Sequence, residues 1–206
     1  MTIYCTPYAP LKHGANMLSL VSPARRERHL HTNPVQGVIF AHALLAYALE
    51  QEGFPACAQA LHYSPEGRPY LPGTPLHLSI SHSKTYALCV LAPQPVGCDI
   101  ETHRPVSERT CRRVLGPDEA PEDFFAHWTL KESYLKLTGD LKRPFATVQF
   151  ALQADNTAKA PDAYGHLYRD IPACTAAVVA AAPFPRPPLQ ILPAETLFDY
   201  AAEKWG

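Results

Sequence analysis

The chain of 206 residues is short of charge. Only 18% of it is Asp, Glu, Lys or Arg, and 18 basic side chains against 19 acidic ones leave a formal net charge of −1. Disordered chains combine few apolar residues with high net charge, so 47% hydrophobic residues exclude wholesale disorder. The near-neutral balance also excludes a strongly basic nucleic-acid binder, while leaving room for a local basic patch. Long apolar runs are missing as well. The longest, residues 176–185, falls well short of the ~20 needed to span a bilayer. Met1-Thr2-Ile3-Tyr4-Cys5 has neither the basic nor the apolar region of a signal peptide. No two of the six cysteines (5, 57, 89, 98, 111 and 174) form a Cys-x-x-Cys, which excludes a zinc ribbon or a thioredoxin-type pair. Several sit in apolar runs such as Leu88-Cys89-Val90 and read as small buried hydrophobes. Together these absences predict a reduced, cytoplasmic protein with no membrane and no nucleic acid among its partners.

What the chain has in plenty is proline, 22 residues scattered without a repeat, which promises short elements and rigid turns. Residues 2–8 are β-branched and aromatic, as in a strand. Ser22-Pro23 has the residue types that open a helix, and residues 35–52 carry Val38, Ala41, Leu45, Ala48 and Leu49 at helical spacing with Gly53 as a stop. Leu76, Leu78 and Ile80 alternate with His77, Ser79 and Ser81, which predicts a half-buried strand. Residues 86–92 form a more buried strand and 96–101 alternate again. A second long helix is expected over 122–137, with Phe125, Trp128 and Leu135 on one stripe, followed by strands at 147–152 and 175–182. A shift of 90 residues aligns 85–95 with 175–185, matching Thr85/Thr175, Ala87/Ala177, Ala92/Ala182, Pro93/Pro183 and Pro95/Pro185. That echo suggests two related α+β halves, 1–105 and 106–206.

Four clusters could carry chemistry. In Gly97-Cys98-Asp99-Ile100-Glu101 a strand would send both carboxylates to one face and Cys98 and Ile100 into the core. Two adjacent carboxylates suit a hard cation such as Mg²⁺, although a solvated strand face gives the same spacing. In Trp128-Thr129-Leu130-Lys131-Glu132-Ser133-Tyr134-Leu135-Lys136, Glu132 and Lys136 lie one helical turn apart. They are either a surface ion pair or two groups reaching one phosphate-bearing substrate. Ser81-His82-Ser83-Lys84 contains a formal S-x-x-K, but it follows a strand pattern and no K-T-G comes after it. No G-x-S-x-G is present either, so a serine hydrolase is not supported. Arg25-Arg26-Glu27-Arg28, with Arg68 further on, could hold a phosphate through forked hydrogen bonds.

Taken in order, the basic segment, Gly67-Arg68-Pro69, Ser81-His82, Gly97-x-Asp99-x-Glu101 and Trp128-x-x-Lys131-Glu132-x-x-x-Lys136 resemble the 4′-phosphopantetheinyl transferases. The likeness is to the larger, pseudodimeric class that serves peptide and polyketide synthases, and it runs from about Ser22 to Gly139. It implies an α+β fold of two similar halves with the active site at their interface, in a monomer. It further implies transfer of 4′-phosphopantetheine from coenzyme A to a serine of an acyl or peptidyl carrier protein, releasing adenosine 3′,5′-bisphosphate. Asp99, Glu101 and Glu132 would hold Mg²⁺ on the pyrophosphate. Glu132 would also accept the serine proton, and Lys136 would touch the phosphates. Arg25, Arg28, Arg68, Ser81 and His82 would line the adenosine and 3′-phosphate end. The chain departs from the family pattern in three places. Ser79 stands where Asn is common, Gly139-Asp140-Leu141-Lys142 replaces a Gly-x-Gly, and His31 and Gln36 occupy the region where an arginine is expected. A coenzyme A-binding module without turnover and a metal-dependent phosphohydrolase are the competing readings.

Overall fold

The structure is a computed structural model that describes residues 1–11, 14–19, 21, 25, 35–55, 60–65 and 67–205. The helix expected at Ser22-Pro23, together with Arg28, lies outside the described residues. The chain begins with β1 (Thr2–Pro7), α1 (Gly14–Ser19) and α2 (Val35–Gln51). A short hairpin of β2 (His62–Tyr63) and β3 (Pro69–Tyr70) follows, then β4 (His77–His82), β5 (Tyr86–Ala92) and β6 (Val96–Thr102). After α3 (Glu108–Val114), a 3₁₀ turn at Pro121–Asp123 leads into α4 (Phe124–Thr138). The remainder is β7 (Ala151–Leu152), β8 (Thr157–Ala160), β9 (Ala163–Tyr168), β10 (Cys174–Ala180), β11 (Leu189–Ile191) and α5 (Ala194–Trp205). The fold is α+β.

Two sheets organise these elements, ordered β11-β1-β5-β4 and β6-β10-β9-β8-β7. All pairings are antiparallel except that of β1 with β11. Alternation along each strand separates two faces. From the first sheet, Tyr4, Leu78, Cys89 and Leu91 meet Phe40, Leu44 and Leu45 of α2 and Leu197 and Phe198 of α5. From the second, Leu167, Ala177 and Val179 meet Leu130 and Leu135 of α4. The opposite faces meet each other, with Ile3, Cys5, Leu88 and Val90 packed against Cys98, Ile100, Ala176 and Val178. β5 and β10 are therefore covered on both sides, which is why they read as continuous apolar runs. Cys5, Cys89, Cys98 and Cys174 are buried free thiols within these layers.

The order β1-α2-β4-β5 in the first sheet has a counterpart in β6-α4-β9-β10 of the second. In both, the last strand lies between the other two. The segments matched by the 90-residue shift are those two central strands. Exchange occurs at the ends: β6 opens the second sheet, while β11 and α5 complete the first.

Three local expectations are corrected. The polar face of β4 is solvated only at His77, because Ser79 and Ser81 are buried against β6. Along α4, Phe125 and Trp128 are half-buried beside Glu132, and the core contacts come from Ala126, Leu130, Tyr134, Leu135 and Leu137. Over 147–152 only Ala151–Leu152 is a strand, since its partner β8 has just four residues. Val148 and Phe150 still alternate into the core, but from a loop behind a 3₁₀ turn at Phe145–Thr147.

Gly97 sets how closely β6 can approach α4. A Cβ there would stand 1.9 Å from the Ser133 carbonyl oxygen and 2.7 Å from the Leu137 nitrogen. Both obstacles are backbone, so no rotamer change relieves them. Gly97→Ala is expected to destabilise the fold by about 1–3 kcal/mol, the scale of overpacking, measured by urea unfolding. An unchanged midpoint would show that β6 and α4 slide apart freely.

Candidate functional site

β4 and β6 lie side by side where the two sheets meet, with α2 over one and α4 over the other. Their polar side chains stitch the meeting line. Ser79 Oγ accepts from the Cys98 N–H at 3.0 Å, and Ser81 Oγ donates to Asp99 Oδ1 at 2.7 Å. Lys136 closes the cluster. Its Nζ donates to Asp99 Oδ1 at 2.8 Å and to Ser81 Oγ and the Cys98 carbonyl, each at 3.0 Å. A helical lysine meets a strand carboxylate here because Gly97 lets the two backbones touch. Lys136 thus pairs across elements with Asp99, whose side chain is 8% exposed, rather than along the helix with Glu132.

A cavity of about 300 Å³ opens on this cluster. Val38 and His42 of α2, Ser81 and His82 of β4, Asp99 and Glu101 of β6, and Glu132 and Lys136 of α4 line it, with Arg25 at its side. A second cavity of about 280 Å³ shares Arg25, Ile80, Glu132 and Lys136 and extends past Tyr63, Gly67, Arg68 and Pro69 to Gly139 and Leu141. Every site residue expected from the sequence and described in the structure therefore borders one of two connected spaces. Arg25 lies with its guanidinium carbon 5.6 Å from the Tyr63 ring centre, so it faces the end where Arg68 stands. His82 packs against α2 at Gly37, where a Cβ would come within 2.8 Å of its Nδ1. Gln36 donates to the Ala9 carbonyl at 2.9 Å. Gly139 caps α4 with φ 80°, its N–H returning to the Leu135 carbonyl at 2.8 Å.

The electrostatics reflect crowding of like charge. Burial and the nearby Asp99 push the Glu132 carboxyl up, against a weaker pull from Lys136. Burial also raises Glu101, with Arg104 opposing and Asp99 adding to the rise. Burial alone would depress the Lys136 ammonium, but Asp99, Cys98 and Glu132 outweigh it and raise it. A carboxylate with a raised pKa is suited to taking a proton near neutral pH.

Among the described residues, no three His, Cys, Asp or Glu side chains form a ready metal-holding group. The donor chemistry nevertheless fits a hard cation. Three carboxylates share one cavity, and Asp99 Oδ2 is buried without a hydrogen-bond partner among the described residues.

Sequence reasoning missed the support beneath the Lys-Glu motif. Lys131 is fully buried and donates to the Val114 carbonyl at 2.7 Å and to Glu119. Glu119 also receives the Gly116 N–H at 2.8 Å and faces His127 Nδ1 at 3.2 Å. Burial pushes its carboxyl up, but the nearby His127 and the hydrogen bonds from Lys131 and Gly116 outweigh it and bring it to about 2. That contribution to stability is present above the ordinary carboxylate range and lost as pH falls toward 2. The signal available was a lysine one residue before Glu132, which helical geometry turns to another face.

Residues 95–179, which contain Asp99, Glu101, Glu132 and Lys136, match the family model described as the 4′-phosphopantetheinyl transferase superfamily. The chain is 30% identical over 146 residues to 4′-phosphopantetheinyl transferase AcpT of Escherichia coli O157:H7, covering 64% of this chain and 67% of that protein. The chain belongs to the 4′-phosphopantetheinyl transferase superfamily. Two further relatives are similar. 4′-Phosphopantetheinyl transferase Sfp of Bacillus subtilis (strain 168) is 28% identical over 181 residues, 77% of this chain and 80% of its own length. 4′-Phosphopantetheinyl transferase HetI of Nostoc sp. (strain PCC 7120 / SAG 25.82 / UTEX 2576) is 33% identical over 115 residues, 47% of this chain and 48% of its own. As a superfamily member, the chain carries its family-matched segment from β6 to β10, with α4 between.

Among the described residues no helix is long and apolar enough to cross a membrane.

Proposed function

We propose that the protein transfers the 4′-phosphopantetheine group of coenzyme A to a serine hydroxyl of an acyl or peptidyl carrier protein, with Mg²⁺ as cofactor. The observation that carries this reading is the meeting of Asp99, Glu101, Glu132 and Lys136 with Arg25, Ser81 and His82 around one cavity. Arg25 and His82, with Arg68 in the adjoining space, would hold the adenosine and 3′-phosphate end, and Arg28 is assigned there from the sequence. Ser81 would stand beside them, and Lys136 would reach the pyrophosphate. Asp99, Glu101 and Glu132 would hold Mg²⁺. Bound there, Mg²⁺ supplies neutralisation of the pyrophosphate charge that otherwise repels an incoming oxygen.

The serine oxygen forms a bond to the phosphorus that carries pantetheine, and the bond from that phosphorus to the bridging oxygen breaks. Glu132 accepts the serine proton, directly or through water, and adenosine 3′,5′-bisphosphate leaves with the bridging oxygen. Lys136 stabilises the charge that collects on the leaving group. No nucleophile is needed from this chain, because the carrier supplies it. We assign the same protein to the cytoplasm as a monomer of two related halves, 1–105 and 106–206, with β6 crossing to the second sheet and β11 and α5 returning to the first. The repeated strand-helix-strand-strand order supports the kinship of the halves, and the buried free thiols support the compartment.

Incubation with coenzyme A, Mg²⁺ and an apo carrier protein tests the reading by the carrier's mass. An unmodified carrier overturns it, and coenzyme A breakdown without carrier would favour a phosphohydrolase. The basic end has its own test. Wild type is expected to prefer coenzyme A over 3′-dephospho-coenzyme A, and Arg25→Ala to shrink that preference by about one to two decades in affinity, the value of a charge-assisted contact. Equal wild-type affinity for both ligands would remove Arg25 and His82 from the 3′-phosphate.

A further inference from the structure

Glu101 is the site carboxylate with a dedicated partner outside the cavity. Arg104 Nη1 donates to Glu101 Oε2 at 2.6 Å and to the Thr102 carbonyl at 3.1 Å. The guanidinium carbon stands 5.8 Å from the Phe125 ring centre and 5.5 Å from that of Trp128. Phe125 and Trp128 lie on α4 in the same stripe as Glu132, and His103 packs on Phe125 with ring centres 4.9 Å apart. Both rings also pack on the buried Phe124, with ring centres 5.2 and 5.4 Å away, so the aromatic platform is anchored at the edge of the core. Arg104 is thus clamped between a carboxylate and two rings and is 34% exposed, so its donors are fixed in direction. It takes one carboxylate oxygen. Among the described residues Oε1 has no donor, and Glu101 lines the cavity.

We propose that Arg104 is a positioning residue for the divalent cation: it fixes the rotamer of Glu101, and Phe125 with Trp128 forms the platform that holds Arg104 in place. This rests on the metal role proposed for Asp99, Glu101 and Glu132. The opposite role is a competitor, a positive charge that occupies Glu101 and must be displaced. The two differ in sign. A positioning partner raises metal affinity, and losing one typically costs about 10- to 100-fold. A competitor lowers affinity, and its loss would tighten binding.

The experiment is Mn²⁺ binding to the purified full chain, read from the electron paramagnetic resonance of free Mn²⁺. Wild type, Asp99→Ala, Arg104→Ala and Arg104→Lys are compared, together with the metal dependence of carrier modification. The expected result is Mn²⁺ affinity about tenfold or more weaker in Arg104→Ala, with partial recovery in Arg104→Lys. The metal KM should rise while kcat recovers at saturating metal. Trp128 emission, isolated in a Trp205→Phe background, should change on Arg104→Ala. Unchanged or tighter Mn²⁺ binding by Arg104→Ala, with wild type binding and Asp99→Ala not, overturns the positioning role alone. A wild type that binds no Mn²⁺, or an Asp99→Ala that binds as wild type does, overturns the metal reading and this proposal with it.

Discussion

Asp99→Ala should leave a folded protein that modifies a carrier at no more than about a hundredth to a thousandth of the wild-type rate, the scale for removing one preorganised charge-stabilising group. The side chain is only 8% exposed, yet just one of its oxygens is satisfied among the described residues. Oδ1 receives both Ser81 and Lys136, whereas Oδ2 is buried without a partner among the described residues. Leaving a buried acceptor unmet costs about 1–3 kcal/mol. A cation that binds Oδ2 removes it. Asp99→Asn separates charge from shape, because its amide oxygen can still accept from Ser81 and Lys136. It should retain the wild-type unfolding midpoint to within a small shift and still lose transfer. Carrier mass after fixed incubation and urea unfolding of the same preparations decide the matter. Near wild-type transfer by either variant would end the metal role of this strand, and Glu101→Ala provides the same test one pleat further on.

The strand that carries these acids was legible because period-two alternation is a backbone property. It sends Cys98 and Ile100 into the layer between the sheets and Asp99 and Glu101 the other way, as the sequence pattern required. The helix over Val35–Gln51 was legible for the corresponding reason at period 3.6, with Gly53 stopping it at φ 85°. β8 and β9 were not. Thr157-Ala158-Lys159-Ala160 and Ala163-Tyr164-Gly165 have weak strand propensity, and their pairing is decided by β10 and by Leu130 of α4 lying over Gly165. The aromatic stripe of α4 misled for a related reason. Periodicity shows which residues share a face but not what that face meets, and Phe125 and Trp128 meet Arg104. Ser79 looked solvated because alternation assigns a polar face to water. The second sheet brings Cys98 to it instead, a long-range contact no local window contains.

Lys136 is where a structural and a catalytic role predict different measurements. As one half of a surface pair along α4 it would contribute at most about 1 kcal/mol to stability and nothing to rate. The geometry is different: its ammonium crosses to Asp99, Ser81 and the Cys98 carbonyl and is held charged by that company. In Lys136→Ala the carboxylates of Asp99, Glu101 and Glu132 keep Arg104 as a positive neighbour but lose the one at their centre. Transfer should fall by on the order of a hundredfold or more, because a charge preset for the leaving phosphate is gone. Some stability should be lost too, since Asp99 is left with Ser81 as its remaining donor among the described residues. Added Mg²⁺ should restore much of that stability by replacing positive charge among the carboxylates, yet it should not restore the rate. Lys136→Arg keeps the charge but spreads it over a planar fork, which cannot reproduce the three contacts of a compact ammonium, so rescue should be incomplete. Thermal unfolding with and without Mg²⁺, alongside carrier modification at saturating coenzyme A, separates the two roles. A Lys136→Ala protein that unfolds earlier but transfers at the normal rate while folded would make the lysine a strut between α4 and β6 and nothing more.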